Sequence, residues 1–160
     1  MKIGTVLREL HDDERELIRC LLLTAERHRD AHEIHHLALD LATWSHRHLR
    51  DLADVADTYG LRLDPDPDDG PRRTDRLREK GGALIGRPTD PGMLLLNDLR
   101  EICGRASAVS LDWELVAQAA QAMADERLLG LARRCHPDTL RQLRWANTEL
   151  KETSPQVLTS

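Results

Sequence analysis

TVLRELHDDERELIRCLLLTAERHRDAHEIHHLALDLATWSHRHLRDLADVADTY, residues 5–59, contains neither glycine nor proline. One helix over that stretch would be about 80 Å long, so two helices must be joined inside it. The break is expected near His28 to Ala31. There Asp30, followed three residues later by Glu33, has the form of a capping box with Asp in place of Ser or Thr. So short a join makes the two helices antiparallel neighbours. Gly60 supplies the stop for the second helix.

Helical spacing then sorts the residues by face. In helix 1, Ile3, Leu7, Leu10, Leu17, Ile18, Leu21 and Ala25 form one stripe, with Asp12, Glu16, Arg19 and Glu26 opposite. In helix 2, Ile34, Ala38, Leu41, Ser45, Leu49, Leu52, Ala56 and Tyr59 share a face. Beyond Gly60 the stretch Leu63 to Pro71 alternates Asp and Pro and reads as an acidic connection. A short amphipathic helix fits Arg72 to Gly86, and Pro88 and Pro91 bound a second loop. Helix 3 is expected from about Gly92 to Met123 and helix 4 from near Asp125. Pro137 lies inside the helix 4 pattern and predicts a kink or a break near His136. Pro155 is expected to end the regular part, leaving a short tail over 152–160. The whole reads as one all-α domain, residues 1–160: an antiparallel four-helix bundle of two hairpins with a crossover over about 60–91.

Composition narrows the function. The chain has 160 residues, 40 % hydrophobic and 32 % charged; 23 Lys and Arg against 28 Asp and Glu give a net charge of −5. A general nucleic-acid binder would show a basic surplus. No apolar run approaches a membrane span, and the opening MKIGTVLRELHDDE lacks the apolar segment of a secretory signal. Cys20, Cys103 and Cys135 are odd in number and widely spaced, which reads as reduced thiols in a cytoplasmic protein. Eight histidines would carry the net charge from −5 to +3 if all were protonated.

Two polar residues fall on apolar faces. Glu14 lies at the centre of the helix 1 leucine stripe, where a carboxylate is costly unless paired, protonated or metal-bound. His48 lies on the helix 2 face, with His35 and His46 at its edge and His32 and His36 pointing outward. Helix 3 turns Leu95, Leu99, Ile102, Ala106, Val109, Trp113, Ala117 and Ala120 inward, with Glu114 at the edge and Asp112 further out. Helix 4 turns in Leu128, Ala132, Cys135, Thr139, Leu143, Ala146 and Leu150, with Gln142 on the flank. Ser45, Thr139 and Gln142 are candidate hydrogen-bond partners for Glu14 and His48. His28, His32, His35 and His36, with Asp30 and Glu33, crowd the first turn and could form an open Zn or Ni site. Leu23, Leu94, Leu111 and Leu115 point outward and suggest a homodimer surface, unless the crossover residues Leu77 to Ile85 cover it.

Glu9 to Leu17, His48 to Gly60, and Leu77 to Ile85 followed by Leu94 to Ala120 together resemble the ferritin-like superfamily, in particular its small bacterial stress-associated domains. That resemblance implies a di-iron or di-manganese site built from a Glu on each of two helices and Glu-x-x-His on each of the other two. Carried over, it marks Glu14, His48, Glu114 (or Asp112) and His136 as the metal residues. The pattern is incomplete: Ser45 stands three residues before His48, and Arg133 three before His136, where the family places Glu. The reading is therefore a non-catalytic binding or structural module. The alternatives are a metal protein with ferroxidase- or peroxide-type activity and the surface histidine site.

Overall fold

A computed structural model describes residues 2–67 and 90–160. These form α1 (Ile3–Arg27), α2 (His32–Ala56), a 3-10 turn (Asp57–Tyr59), α3 (Pro91–Met123) and α4 (Glu126–Thr159), with no strand among the described residues. The readings placed on Arg72 to Gly86 and on Leu77 to Ile85 lie outside the described residues. α1 packs on α2 and α3, α3 on α4, and α2 more thinly on α4.

The break between α1 and α2 falls where the sequence predicts it, but its chemistry differs. Ala31 occupies the cap position and Asp30 makes no capping bond. Instead His35 donates from Nδ1 to the Ala25 carbonyl at 2.7 Å, tying the start of α2 to an orphan carbonyl at the end of α1. Gly60 does end the second helix. Its φ of +69° is a conformation that favours glycine, and it lets Leu61 N–H return to the Ala56 carbonyl at 3.1 Å.

α3 and α4 start on side-chain caps. Asp90 accepts from Met93 N–H at 2.7 Å and Asp125 from Leu128 N–H at 2.9 Å, and Pro91 sits at the first helical position of α3. Ala124 and Asp125 are the whole link between these helices. Ala124 takes it at φ +53°, left-handed and strained for a residue with a Cβ.

Two expectations about proline are corrected. α4 runs unbroken through Pro137 and past Pro155 to Thr159, so there is no break at His136 and no irregular tail over 152–160. Buried residues on both sides of Pro137, from Leu128 to Cys135 and from Thr139 to Ala146, anchor the helix to the core on either side of the missing N–H. At Pro155 the Ser154 hydroxyl reaches the Lys151 carbonyl that the proline leaves unbonded, at 3.5 Å.

One core runs through all four helices. Leu7, Leu10, Leu17 and Leu21 meet Leu41 and Leu52, Leu99, Ile102, Val109 and Trp113, and Leu128 and Leu131. The apolar stripes of α1 and α2 are buried as periodicity predicts, except that Tyr59 is half-buried. No helix among the described residues is long and apolar enough to cross a membrane. On the outer side of α3, Leu111 and Leu115 are exposed, at 62 % and 56 %. Leu94 and Leu23, expected to join them, are half-buried.

Candidate functional site

Each helix contributes one residue to a buried polar centre. Glu14 of α1 and His48 of α2 are 0 % and 1 % exposed. His48 donates from Nδ1 to Glu14 Oε1 at 2.8 Å. Its Nε2 faces Asp138 Oδ2 of α4 at 3.3 Å. Trp113 of α3 donates from Nε1 to the same Glu14 oxygen at 3.1 Å, and its ring meets the imidazole edge-on, with centroids 6.0 Å apart. Asp138 passes the network to the surface, accepting from Arg47 at 2.8 Å and from Arg141 at 2.7 Å.

The electrostatics follow from this geometry. Ionised carboxylates only accept hydrogen bonds, so a histidine between two of them needs a proton on each nitrogen. Burial pulls the His48 pKa down, but the Glu14 charge and the bonds to Glu14 and Asp138 outweigh it, and the net shift is upward. The two carboxylates thus favour the imidazolium form of His48, the form with no lone pair to offer a metal. Glu14 Oε2 is buried with no hydrogen-bond partner among the described residues. At the edge of the centre, burial, the Asp13 carboxylate and then Glu9 and Glu14 push Asp112 up to about 6.

Of the neutral polar residues expected to support Glu14 and His48, Ser45 and Gln142 bond to each other instead, with Gln142 Oε1 left buried and unbonded among the described residues. Gln142 Nε2 donates to Ser45 Oγ and to the Leu41 carbonyl, both at 2.9 Å. Thr139 bonds back to the Cys135 carbonyl at 3.4 Å. The side chain three residues before His48 is therefore spent on a bond between α2 and α4.

Of the four residues marked as metal ligands, the structure joins Glu14 and His48. Glu114 is exposed, because its position on α3 turns it away from the Trp113 face. His136 is engaged through Nε2 with Ser110 Oγ at 2.8 Å. Among the described residues no group of three or more His, Cys, Asp or Glu is arranged to hold a metal ion.

The histidines of the first turn are likewise divided. His28 is buried and bonds through Nε2 to Asp98 Oδ2 at 2.9 Å, while Arg27 takes the other oxygen at 2.6 Å. His35 holds the Ala25 carbonyl, and His32 and His36 are left exposed.

Asp138, Asp98 and the Trp113 donor are the polar partners that sequence reading missed. All three thiols are held above the ordinary thiol range. Burial pushes Cys20 up to about 12, and it raises Cys135 and Cys103 as well.

Compared with known proteins, the chain matches no family model, no curated protein and no solved structure.

Proposed function

We propose that this chain is a ferritin-like, antiparallel four-helix bundle that works by association and not by metal chemistry. One observation carries the reading: both ring nitrogens of His48, the best-placed histidine for a metal, face carboxylate oxygens at 2.8 and 3.3 Å. The ferritin-like plan needs neutral imidazoles and a second set of carboxylates. Here Ser45 stands in a Glu position and bonds to Gln142, Glu114 is exposed, and His136 bonds to Ser110. The residues present do not fit a di-iron or di-manganese centre. The buried network instead works as a polar lock that fixes how the four helices meet. With the interior closed in this way, the exposed leucines of α3 are the surface through which the module acts.

The test is the metal content of the untagged protein after separate anaerobic incubation with Fe(II), Mn(II) and Zn(II), followed by desalting. The expected result is less than a tenth of an equivalent retained per chain. Two retained equivalents of iron or manganese, lost in Glu14→Ala, would overturn the reading. Zinc retained by the wild type and lost in His32→Ala would revive the surface histidine site.

A further inference from the structure

We propose that the outer face of α4 docks an acidic peptide segment of a partner protein, held by Arg133, Arg134, Arg141 and Arg144. This is a second association surface, apart from the leucines of α3, and it goes beyond the association reading by naming the chemistry of a partner.

Between Arg127 and Thr148 the α4 sequence has five arginines and one acid, Asp138, although the whole chain stands at −5. Residues advance about 100° apiece around a helix, so Arg133, Arg134, Arg141 and Arg144 fall within one arc of about that width. It lies opposite the buried Leu128, Cys135, Gln142 and Ala146. All four arginines are exposed. Arg141 is bonded to Asp138, whose charge Arg47 and His48 also share. Arg133, Arg134 and Arg144 form no ion pair among the described residues. The face therefore carries uncompensated positive charge over about 16 Å of helix.

The partner's chemistry follows from what borders the arginines. Asp54 on α2 and Glu114 on α3 are exposed, and Asp54 already holds Arg127 at 2.6 Å. The basic strip is thus one helix wide, about 10 Å. A phosphate backbone or an anionic bilayer would bring its charge against those acids as well, whereas a single segment lying along α4 meets the arginines alone. Trp145 is packed on the core, so α4 offers no exposed indole for a nucleobase to stack on. Pro137, exposed in the middle of the strip, has no N–H for the Arg133 carbonyl. That leaves a carbonyl without its helical donor among four cations. A peptide answers both, with carboxylates that guanidinium groups grip through paired hydrogen bonds and with main-chain N–H groups for the carbonyl. Leu140, 41 % exposed beside them, gives an apolar side chain of that segment a seat.

The experiment is fluorescence anisotropy on the full 160-residue chain, with folding checked by far-UV circular dichroism. The probe is a labelled alanine-based peptide with Glu at every fourth position. Binding is expected at low salt with a dissociation constant below about 100 μM, weakening as salt is raised. Arg133→Ala with Arg144→Ala should raise that constant about tenfold, while Arg100→Ala on α3 leaves it unchanged. Arg133→Lys with Arg144→Lys keeps the charge but loses the planar fork, and should still raise it about threefold. Pro137→Ala, which gives the Arg133 carbonyl its donor, should raise it about twofold.

No binding of the peptide, or binding indifferent to Arg133 and Arg144, overturns the inference. So does a Lys pair that binds as well as the wild type, because attraction between charges would then account for it without a docking site. Tighter binding of a single-stranded or duplex oligonucleotide, or of phosphatidylserine vesicles, through the same arginines overturns the acidic peptide as the occupant and puts that partner in its place. None of those results changes the metal content, so failure here is distinct from failure of the metal-free reading.

Discussion

Glu14 and His48, thirty-four positions apart and both closed off from water, share a 2.8 Å hydrogen bond between Oε1 and Nδ1. Removing one partner leaves the other as an uncompensated charge inside the core. His48→Ala is therefore expected to cost about 3–5 kcal/mol of unfolding free energy. Replacing both at once, as Glu14→Met with His48→Leu, should cost far less, because no orphan charge remains. Urea unfolding of the two variants and the wild type decides this. Equal losses in single and double variants would mean that packing, and not charge, is what the pair supplies.

Stability should fall as pH rises past neutrality. His48 is faced by Glu14, Trp113 and Asp138, and its folded pKa is raised above the ordinary value of 6.5. Its contribution is fully present below 6.5 and is lost as pH climbs through the raised folded value. Asp112, at about 6 in the folded state against 3.8 unfolded, acts in the same direction. Its cost is absent below 3.8, grows between 3.8 and about 6, and is complete above that. Asp112→Asn should thus melt higher than wild type at pH 7.5 and lose the advantage toward pH 4. Thermal melts at the two pH values check both signs.

Two backbone positions invite stabilising changes. Ala124 holds a left-handed conformation at φ +53°, and Ala124→Gly should gain up to about 1 kcal/mol. Pro137 is exposed within a continuous α4, and Pro137→Ala should gain up to about 3 kcal/mol by restoring a helical N–H. Denaturant midpoints measured at unchanged slope are the readout. A loss at either site would show that the observed backbone depends on the native residue.

The thiols should be slow to react in the native state. Burial raises all three, and Cys103 is the least buried. At pH 7.5 a disulfide reagent is expected to modify Cys103 first, with Cys20 and Cys135 following only on unfolding. Three fast thiols in the folded protein would contradict this.

Much of the helical layout was legible because it depends on local rules. A long stretch without Gly or Pro, a Gly60 stop and leucines at helical spacing place α1 and α2 within a residue or so. Glu14 and His48 were legible for the same reason, each being a polar residue in phase with an apolar stripe. Asp138 was not. Asp138 stands at the edge of the helix 4 stripe, where phase alone marks it as a surface acid, and the residues it meets, Arg47 and His48, lie about ninety positions away on α2. Asp98 was missed because its partners, Arg27 and His28, lie seventy positions away at a helix end. Periodicity reports which side of a helix faces in, and not which residue on another helix it will meet.

The lengths of the links also set an order of assembly. Four residues separate α1 from α2, and Ala124 with Asp125 separate α3 from α4, whereas residues 57–90 lie between the two pairs. Contacts within each pair are closer in sequence than those between the pairs, and the larger entropy cost of joining distant parts of the chain falls on the single step that brings the pairs together. Glu14 and His48 belong to the first pair, Trp113 and Asp138 to the second. The polar centre is complete only when that slower step has occurred. Changes inside either pair are then expected to act on the folding rate, whereas changes at Trp113 or Asp138 should act on how fast the finished protein comes apart.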